Sequence, residues 1–337
     1  MKKIKNENQI LIMLAFFSIS VGLWGNFRQL WLQDNNFAVT NISNILSIGT
    51  LISVIIIWLI GKYVKLDKLK NTLVIVLLVK FVNMFCLYFL NMTSSIELIK
   101  LSIIIDIVTE YIVITCIYPL ITTIIKNGTI YSKRRLTEYL FRDVGILFGG
   151  VFIGKSIAGI LINYNACLFI SNIFLMFSLL ILLNIKIKDL SNSEEYEGIS
   201  SKYILKDKLL ILYLIYTLIG TIAMSTALGL KMLTLTNYFK FSDSVATNYL
   251  LILGLLADIF GIIALKYLTP KNDYLTITIK FGIRFLGYVI AFVSNNIAIT
   301  LIAITWSIFI STSYENICDA VYINRLENKY QLSFSNI

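Results

Sequence analysis

The sequence predicts an all-α membrane protein that crosses the bilayer about ten times. Of its 337 residues, 58% are hydrophobic and 14% are charged, and the mean hydropathy is +0.81, a composition far from that of a soluble globular domain. The hydrophobic residues gather in runs of about 20, the length that crosses a bilayer as a helix. Lysine and arginine, which give a net charge of +10, lie mostly between those runs. We interpret that charge as a signal of membrane orientation, not of nucleic-acid binding.

The first predicted helix begins near Gln9 and ends near Leu30. A lysine cluster precedes it, but no small-residue cleavage site follows and many further spans do. We therefore interpret this segment as an uncleaved helix, not as a signal peptide. Trp24 and Trp31 around Arg28 suit the interface between membrane and water.

Nine further hydrophobic runs are each long enough to cross the bilayer. They are predicted at residues 43–60, 72–90, 97–125, 143–162, 165–185, 208–230, 245–267, 274–293 and 296–313. Basic residues concentrate at the N-terminus and in every second loop, whereas the opposite side carries only Arg28, Lys100, Lys231 and Lys240. This bias predicts a cytoplasmic N-terminus.

The predicted helices recur after about 200 residues, since those beginning near 9, 43, 72 and 97 are matched by those near 208, 245, 274 and 296. We therefore predict a six-helix bundle at 1–187, a cytoplasmic linker at 188–207 and a partial second bundle at 208–337. The partial bundle has four helices and a cytoplasmic tail. The next counterpart helix would begin beyond Ile337, so we expect the eleventh and twelfth helices of such a repeat to be missing.

The fourth predicted helix carries the most informative polar residues. Asp106 and Glu110 lie four residues apart, so both carboxyl groups share one helix face. Tyr111 and Tyr118 belong to a second polar stripe on the same helix. Because a charge in the bilayer centre is costly, this helix must face a protein interior or a wet cavity. We interpret it as one wall of a transport path.

Several chemistries have no support in the sequence. The chain contains no histidine, so imidazole proton relays, Ser-His nucleophiles and His-ligated metals are excluded. Its four cysteines show no C-x-x-C spacing and are predicted to be free thiols. No phosphate-binding G-x-x-x-x-G-K-[ST] loop occurs. We expect no metal, no cofactor, no obligate protein partner and no enzymatic activity.

Two segments resemble a known family. Residues 133–159 resemble the basic loop and glycine-rich fifth helix of the major facilitator superfamily of secondary transporters, and residues 61–70 match part of its signature between helices two and three. The six-helix organisation and the long linker are also similar. Glycines in the fifth helix form overlapping G-x-x-x-G pairs that let helices approach closely; these are Gly145, Gly149, Gly150 and Gly154.

The resemblance implies that helices one, four, seven and ten line a central cavity. Asp106 and Glu110 are then coupling candidates, and Arg28 and Lys155 are candidates for binding an anionic solute. The cavity-lining candidates are Tyr111, Tyr118, Thr217, Thr221 and Trp306. An alternative is a structural pair between Asp106 and Lys155, which lie at similar depths and would leave Glu110 free to titrate.

Three other intramembrane charges are predicted to have structural roles. Asp258 and Arg284 lie at matched depths in the eighth and ninth helices and are expected to pair with each other. Lys80 has no evident partner and is expected to extend its ammonium group towards the cytoplasm.

The resemblance implies a secondary active transporter that moves a small solute across the bacterial cytoplasmic membrane by alternating access, coupled to protons. The alternatives are an uncoupled facilitator, an inactive transporter fragment and, with less support, a membrane enzyme acting on lipid or glycan. The signs of the intramembrane charges do not decide the substrate: the acidic pair favours a cation, and Arg28 with Lys155 favours an anion.

Overall fold

In a computed structural model of the chain, helices make up most of the described residues. The structure describes residues 2–25, 27–64, 66–90, 95–124, 137–138, 141–147, 164–185, 208–209, 211–212, 215, 231–267 and 273–307. The chain divides into two compact units, one comprising residues 1–130, 141–196 and 335–337 and the other comprising residues 131–140 and 197–334.

The first unit contains six labelled helices. They are α1 (Lys2–Gly25), α2 (Arg28–Asp34), α3 (Val39–Tyr63), α4 (Leu66–Leu90), α5 (Ile96–Ile124) and α6 (Tyr164–Asn184). A further helical stretch occupies residues 141–147. Within this unit α5 packs against α3, α4 and α1, and α6 packs against α1 and α4.

The second unit contains three labelled helices after a short irregular one. A helical turn, Lys231–Leu233, runs into a π-helix at Thr234–Tyr238. The labelled helices are α7 (Asp243–Tyr267), α8 (Asp273–Val293) and α9 (Ile297–Ser307). Within this unit Tyr249 of α7 hydrogen-bonds through its hydroxyl to Thr305 of α9.

The prediction of a helical multi-pass membrane protein is confirmed. Four of the described segments are long and apolar enough to cross a membrane, namely Asn8–Asp34, Val39–Tyr63, Lys68–Phe89 and Tyr164–Asn184. A helix is the expected form of such segments because it satisfies its own backbone hydrogen bonds where lipid offers none. The predicted spans at 143–162 and 208–230, the linker at 188–207, the end of the tenth span and the tail from Tyr314 lie largely or wholly outside the described residues.

The first predicted span differs from expectation, because it is interrupted. α1 ends at Gly25, and α2 continues from Arg28 to Asp34. Two crossed backbone hydrogen bonds end α2, from Phe37 N–H to the Leu32 carbonyl and from Asn36 N–H to the Gln33 carbonyl, both 3.0 Å. Asn36 has a φ of +62°, the left-handed conformation that this type of helix end requires.

Trp24 and Trp31, which the sequence suggested for an interfacial region, are buried against other helices. Their exposed fractions are 1% and 2%, and their rings pack edge to face with centroids 5.6 Å apart. The Trp31 indole N–H donates a 3.1 Å hydrogen bond to Asn165, at the start of α6. Both indoles therefore pack inside the helical unit.

Small residues bring α1 close to its neighbours. The Ser20 and Ser171 hydroxyls are 2.8 Å apart across the contact between α1 and α6. A Cβ added at Gly22 would collide with the Arg142 carbonyl, and one added at Gly145 would collide with the Ile19 carbonyl. Glycine is required at this crossing because the two backbones touch. Gly149, Gly150 and Gly154 lie outside the described residues.

Candidate functional site

Four charged side chains meet inside the first unit, and together they form the candidate site. They are Arg28 at the start of α2, Lys80 in α4, and Asp106 and Glu110 in α5. We call this group the charged cluster. The indole of Trp24, near the end of α1, joins it by a hydrogen bond to Asp106.

Asp106 is the centre of the charged cluster, and its side chain has no solvent exposure. One carboxylate oxygen, Oδ1, lies 2.5 Å from Lys80 Nζ. The other, Oδ2, accepts hydrogen bonds from Arg28 Nη1 at 2.8 Å and from the Trp24 indole at 2.9 Å. Both oxygens are therefore satisfied, which is the condition for keeping an ionised carboxylate buried.

The expectation for Lys80 was wrong. Its side chain is 1% exposed, and its ammonium group points at α5 and not at the cytoplasm. It donates to Asp106 Oδ1, to the Asp106 carbonyl at 3.1 Å and to Glu110 at 3.5 Å. Three contacts match the three donors of an ammonium group, so Lys80 is fully committed to these two acids.

Glu110 is held more loosely than Asp106. Its Oε2 lies 3.5 Å from both Arg28 Nη1 and Lys80 Nζ, and 14% of its side chain is exposed. Its Oε1 has no hydrogen-bond partner among the described residues and lies beside Gly25, 3.8 Å from where a Cβ of that glycine would stand. Glu110 therefore has one oxygen shared by two cations and one that is unengaged.

Arg28 has donors to spare. Its Nη1 serves both Asp106 and Glu110, whereas its Nε is buried and has no partner in the described part of the chain. An unpaired buried donor costs about 1–3 kcal/mol. The sequence interpretation counted Arg28 as a loop charge, and removing it from that count strengthens the basic bias that predicts a cytoplasmic N-terminus.

The structure thus brings together three of the predicted site residues, Arg28, Asp106 and Glu110. Lys155 lies outside the described residues, and the two oxygens of Asp106, its proposed partner, already bind Lys80 and Arg28. Trp24 and Lys80 are the members of the charged cluster that sequence reasoning did not assign to a site.

Of the cavity-lining candidates, Tyr111 and Trp306 have described side chains. Tyr111 follows Glu110 on α5 and is 43% exposed, and Trp306 in the second unit is 51% exposed. Tyr118, Asp258 and Arg284 lie in described helices, but their side chains are not described; Thr217 and Thr221 lie outside the described residues.

Protonation would cost the two carboxylates of the charged cluster different contacts. Two cations and two carboxylates balance when all four groups are ionised. Asp106 would lose short contacts to Lys80, Arg28 and Trp24 on protonation, whereas Glu110 would lose only two contacts of 3.5 Å. Protonation therefore costs less hydrogen bonding at Glu110 than at Asp106.

Comparison with solved structures identifies the fold. The chain is similar to the E. coli fucose:proton symporter FucP (13% identity, TM-score 0.69, covering 100% of this chain and 87% of that one). It is similar to the nucleoside transporter NupG (13%, 0.66, 98% and 85%). It also resembles a D-xylose-proton symporter (12%, 0.61, 97% and 88%). No family model matches the chain, nor does any curated protein sequence.

The chain therefore has the fold of the major facilitator superfamily, to which FucP is assigned. This confirms the fold that the basic loop and the glycine-rich helix indicated. The three solved structures named above are transporters or symporters. At 12–14% identity the likeness identifies the fold alone.

Proposed function

We propose that this chain is a secondary active transporter that moves a small solute across the cytoplasmic membrane by alternating access, with Glu110 as the proton-binding group. The fold is one that transporters use, and the basic loops favour a cytoplasmic N-terminus in a bacterial membrane. The partners are the solute, protons and the surrounding lipid. The predicted bundles at 1–187 and 208–337 are the parts that would rock against each other.

The observation that carries this proposal is the difference between the two carboxylates of α5. Asp106 is saturated by Lys80, Arg28 and Trp24 at 2.5–2.9 Å. Glu110 is partly exposed, has longer contacts and keeps one oxygen unengaged. A coupling group must gain and lose a proton during each cycle, which requires a charge that is neither sealed nor permanently paired.

Transport into proteoliposomes tests the proposal. Purified chain is reconstituted with a trapped pH-sensitive dye, and solute-dependent proton entry is measured for panels of sugars, nucleosides, organic acids and amines. We expect one class to drive proton entry in the unaltered chain. Glu110→Gln should abolish it while leaving exchange of labelled solute across the membrane intact.

Glu97→Gln is the matched control, because it removes a carboxylate from the same helix at a site that is 81% exposed. It should transport as the unaltered chain does. Solute uptake that ignores the pH gradient in the unaltered chain would identify an uncoupled facilitator. Gradient-driven uptake that persists in Glu110→Gln would remove Glu110 from the coupling role.

A further inference from the structure

The balance of charge in the cluster points to the class of solute. Arg28 and Lys80 contribute two positive charges, and Asp106 and Glu110 contribute two negative ones. Protonation of Glu110 leaves one positive charge in excess. We propose that the solute is an anion whose carboxylate or phosphate group binds Arg28 when Glu110 is protonated. This inference rests on the transport function proposed above.

Arg28 is the cation with binding capacity left. Lys80 is 1% exposed and its three donors are directed at Asp106 and Glu110. Arg28 retains a buried Nε with no partner among the described residues, and its side chain is 10% exposed. A guanidinium group offers donors in a planar fork that fits the paired oxygens of a carboxylate or phosphate.

Glu110 lies beside Arg28, where the proposed anion would bind. Its Oε2 lies 3.5 Å from Arg28 Nη1, so a second ionised oxygen on that guanidinium would meet a nearby like charge. A proton on Glu110 removes this repulsion and weakens its hold on Arg28. Gly25 has no side chain to fill the space beside Glu110 Oε1. The proton and the anion therefore bind together. With a proton on Glu110 and a singly charged anion on Arg28, the charged cluster has no net charge.

Within the described part of the chain, the ion pairs of Glu110 are those with Arg28 and Lys80. The charged or titratable groups that face it are Arg28 from α2, Lys80 from α4, and Asp106 and Tyr111 from its own helix. Of the other helices packed against α5, α3 approaches it through Gly49 and has no charged residue before Lys62, and α1 has none after Glu7. Ionisation of Glu110 is thus the step that changes the net charge of the cluster.

A cationic solute fits this site poorly in either state. With Glu110 ionised the cluster is neutral, and with Glu110 protonated it is positive, so neither state attracts a cation. Asp106 cannot serve as the acceptor, because both its oxygens are engaged. An uncharged solute would gain nothing from the excess positive charge.

Binding of defined probes to the purified full-length chain in detergent tests the charge class. The probes are mono- and dicarboxylates, inorganic phosphate and sugar phosphates, compared with xylose, uridine and choline. Kd is measured over a series of pH values by thermal stabilisation and by calorimetry in buffers of different ionisation enthalpy. The carboxylate and phosphate arms separate the two kinds of anion.

We expect anions alone to bind, with Kd falling by up to about tenfold for each unit of pH lowered, the slope of one linked proton. Calorimetry should count one proton taken up per anion. Glu110→Gln should abolish the slope and the proton uptake while retaining affinity, and Arg28→Lys should weaken binding about tenfold or more, since it keeps the charge but loses the fork. Glu97→Gln should change neither quantity.

Binding of xylose, uridine or choline in preference to every anion would overturn the inference, as would anion binding without proton uptake. The calorimetric count needs no variant, so it decides the matter even if Arg28→Lys fails to fold. The two proposals fail separately. Gradient-driven transport of an uncharged solute would support the transport function and contradict the anionic solute. Proton-linked anion binding without gradient-driven transport would support the anionic solute and contradict the transport function.

Discussion

Two acidic residues of α5 form ion pairs of similar length in very different surroundings. Near the start of the helix, Glu97 and Lys100 form an ion pair of 2.7 Å whose side chains are 81% and 31% exposed. Further along, Asp106 lies 2.5 Å from Lys80 and 2.8 Å from Arg28, and its side chain is fully buried. The distances barely differ, but the solvent around the charges does.

At equal distance, burial therefore determines how strongly the fold depends on an ion pair. Exposed pairs contribute little, because water screens them and the side chains lose freedom. A buried ion pair contributes little more to stability than an apolar pair of the same shape. Removing one member, however, leaves the other as an uncompensated buried charge. The inner charges should therefore be far less tolerant of substitution than the outer ones.

The largest effect is expected for Lys80→Met. This change leaves the buried Asp106 without the ammonium at 2.5 Å, and we expect the free energy of unfolding to fall by about 3–5 kcal/mol. Equilibrium unfolding in mixed detergent micelles measures it. The matched change at the outer pair, Lys100→Met, should cost less than about 0.5 kcal/mol.

A second substitution sharpens this prediction. Asp106→Asn combined with Lys80→Met removes one charge of each sign and leaves Arg28 balanced by Glu110. We expect the double variant to be more stable than Lys80→Met alone, because no uncompensated buried charge remains. If the two losses simply add, Lys80 and Asp106 do not act as a pair.

Glu110→Gln should have an intermediate effect on stability. Its contacts to Arg28 and Lys80 are both 3.5 Å and it is partly exposed, so we expect a loss of about 1–2 kcal/mol. Thermal unfolding measures it, with Glu97→Gln as the control, and a loss as large as that of Lys80→Met would contradict this expectation.

A smaller effect is expected for Gly49→Ala, which adds no charge. The new Cβ would lie 3.0 Å from the Cβ of Ile107, the residue after Asp106, and would push α3 away from α5. We expect a loss of about 1 kcal/mol from overpacking. Gly282→Ala in α8 is the control, because its Cβ would meet nothing within 4 Å; it should be neutral or slightly stabilising.

The smallest effect is expected for Glu97→Gln. Both members of this pair face water, so the loss should stay below about 0.5 kcal/mol and shrink further at high salt. Unfolding in low and high salt measures it. A loss as large as that of Lys80→Met would contradict the comparison on which these predictions depend.

The contact between Lys80 and Asp106 could have been predicted from the sequence. Lys80 lies ten residues before the end of α4 at Leu90, and Asp106 lies ten residues after the start of α5 at Ile96. At about 1.5 Å per residue both lie about 15 Å from the short connection between the helices. Equal depth on neighbouring antiparallel helices predicts their contact, and Lys80 is too deep to reach water.

The contributions of Arg28 and Trp24 could not be found in this way. They lie 78 and 82 residues before Asp106 in the chain, and their contact depends on where α1 ends, how α2 continues and how both rotate about their axes. α1 ends at Gly25 and α2 begins at Arg28. In this arrangement Trp24 and Arg28 both donate hydrogen bonds to the buried carboxylate of Asp106. No periodicity within a single helix contains that information.

The amino-acid sequence was enough to predict a helical multi-pass membrane protein and to show that α5 carries acids that must be kept away from lipid. Both follow from local properties, the length of apolar runs and the cost of charge in hydrocarbon. The packing of the helices was needed to show which cations contact those acids, and that both oxygens of Asp106 are engaged whereas one oxygen of Glu110 is not. Partner choice depends on the depth and rotation of helices far apart in the chain, because a few ångströms separate a short ion pair from a loose one.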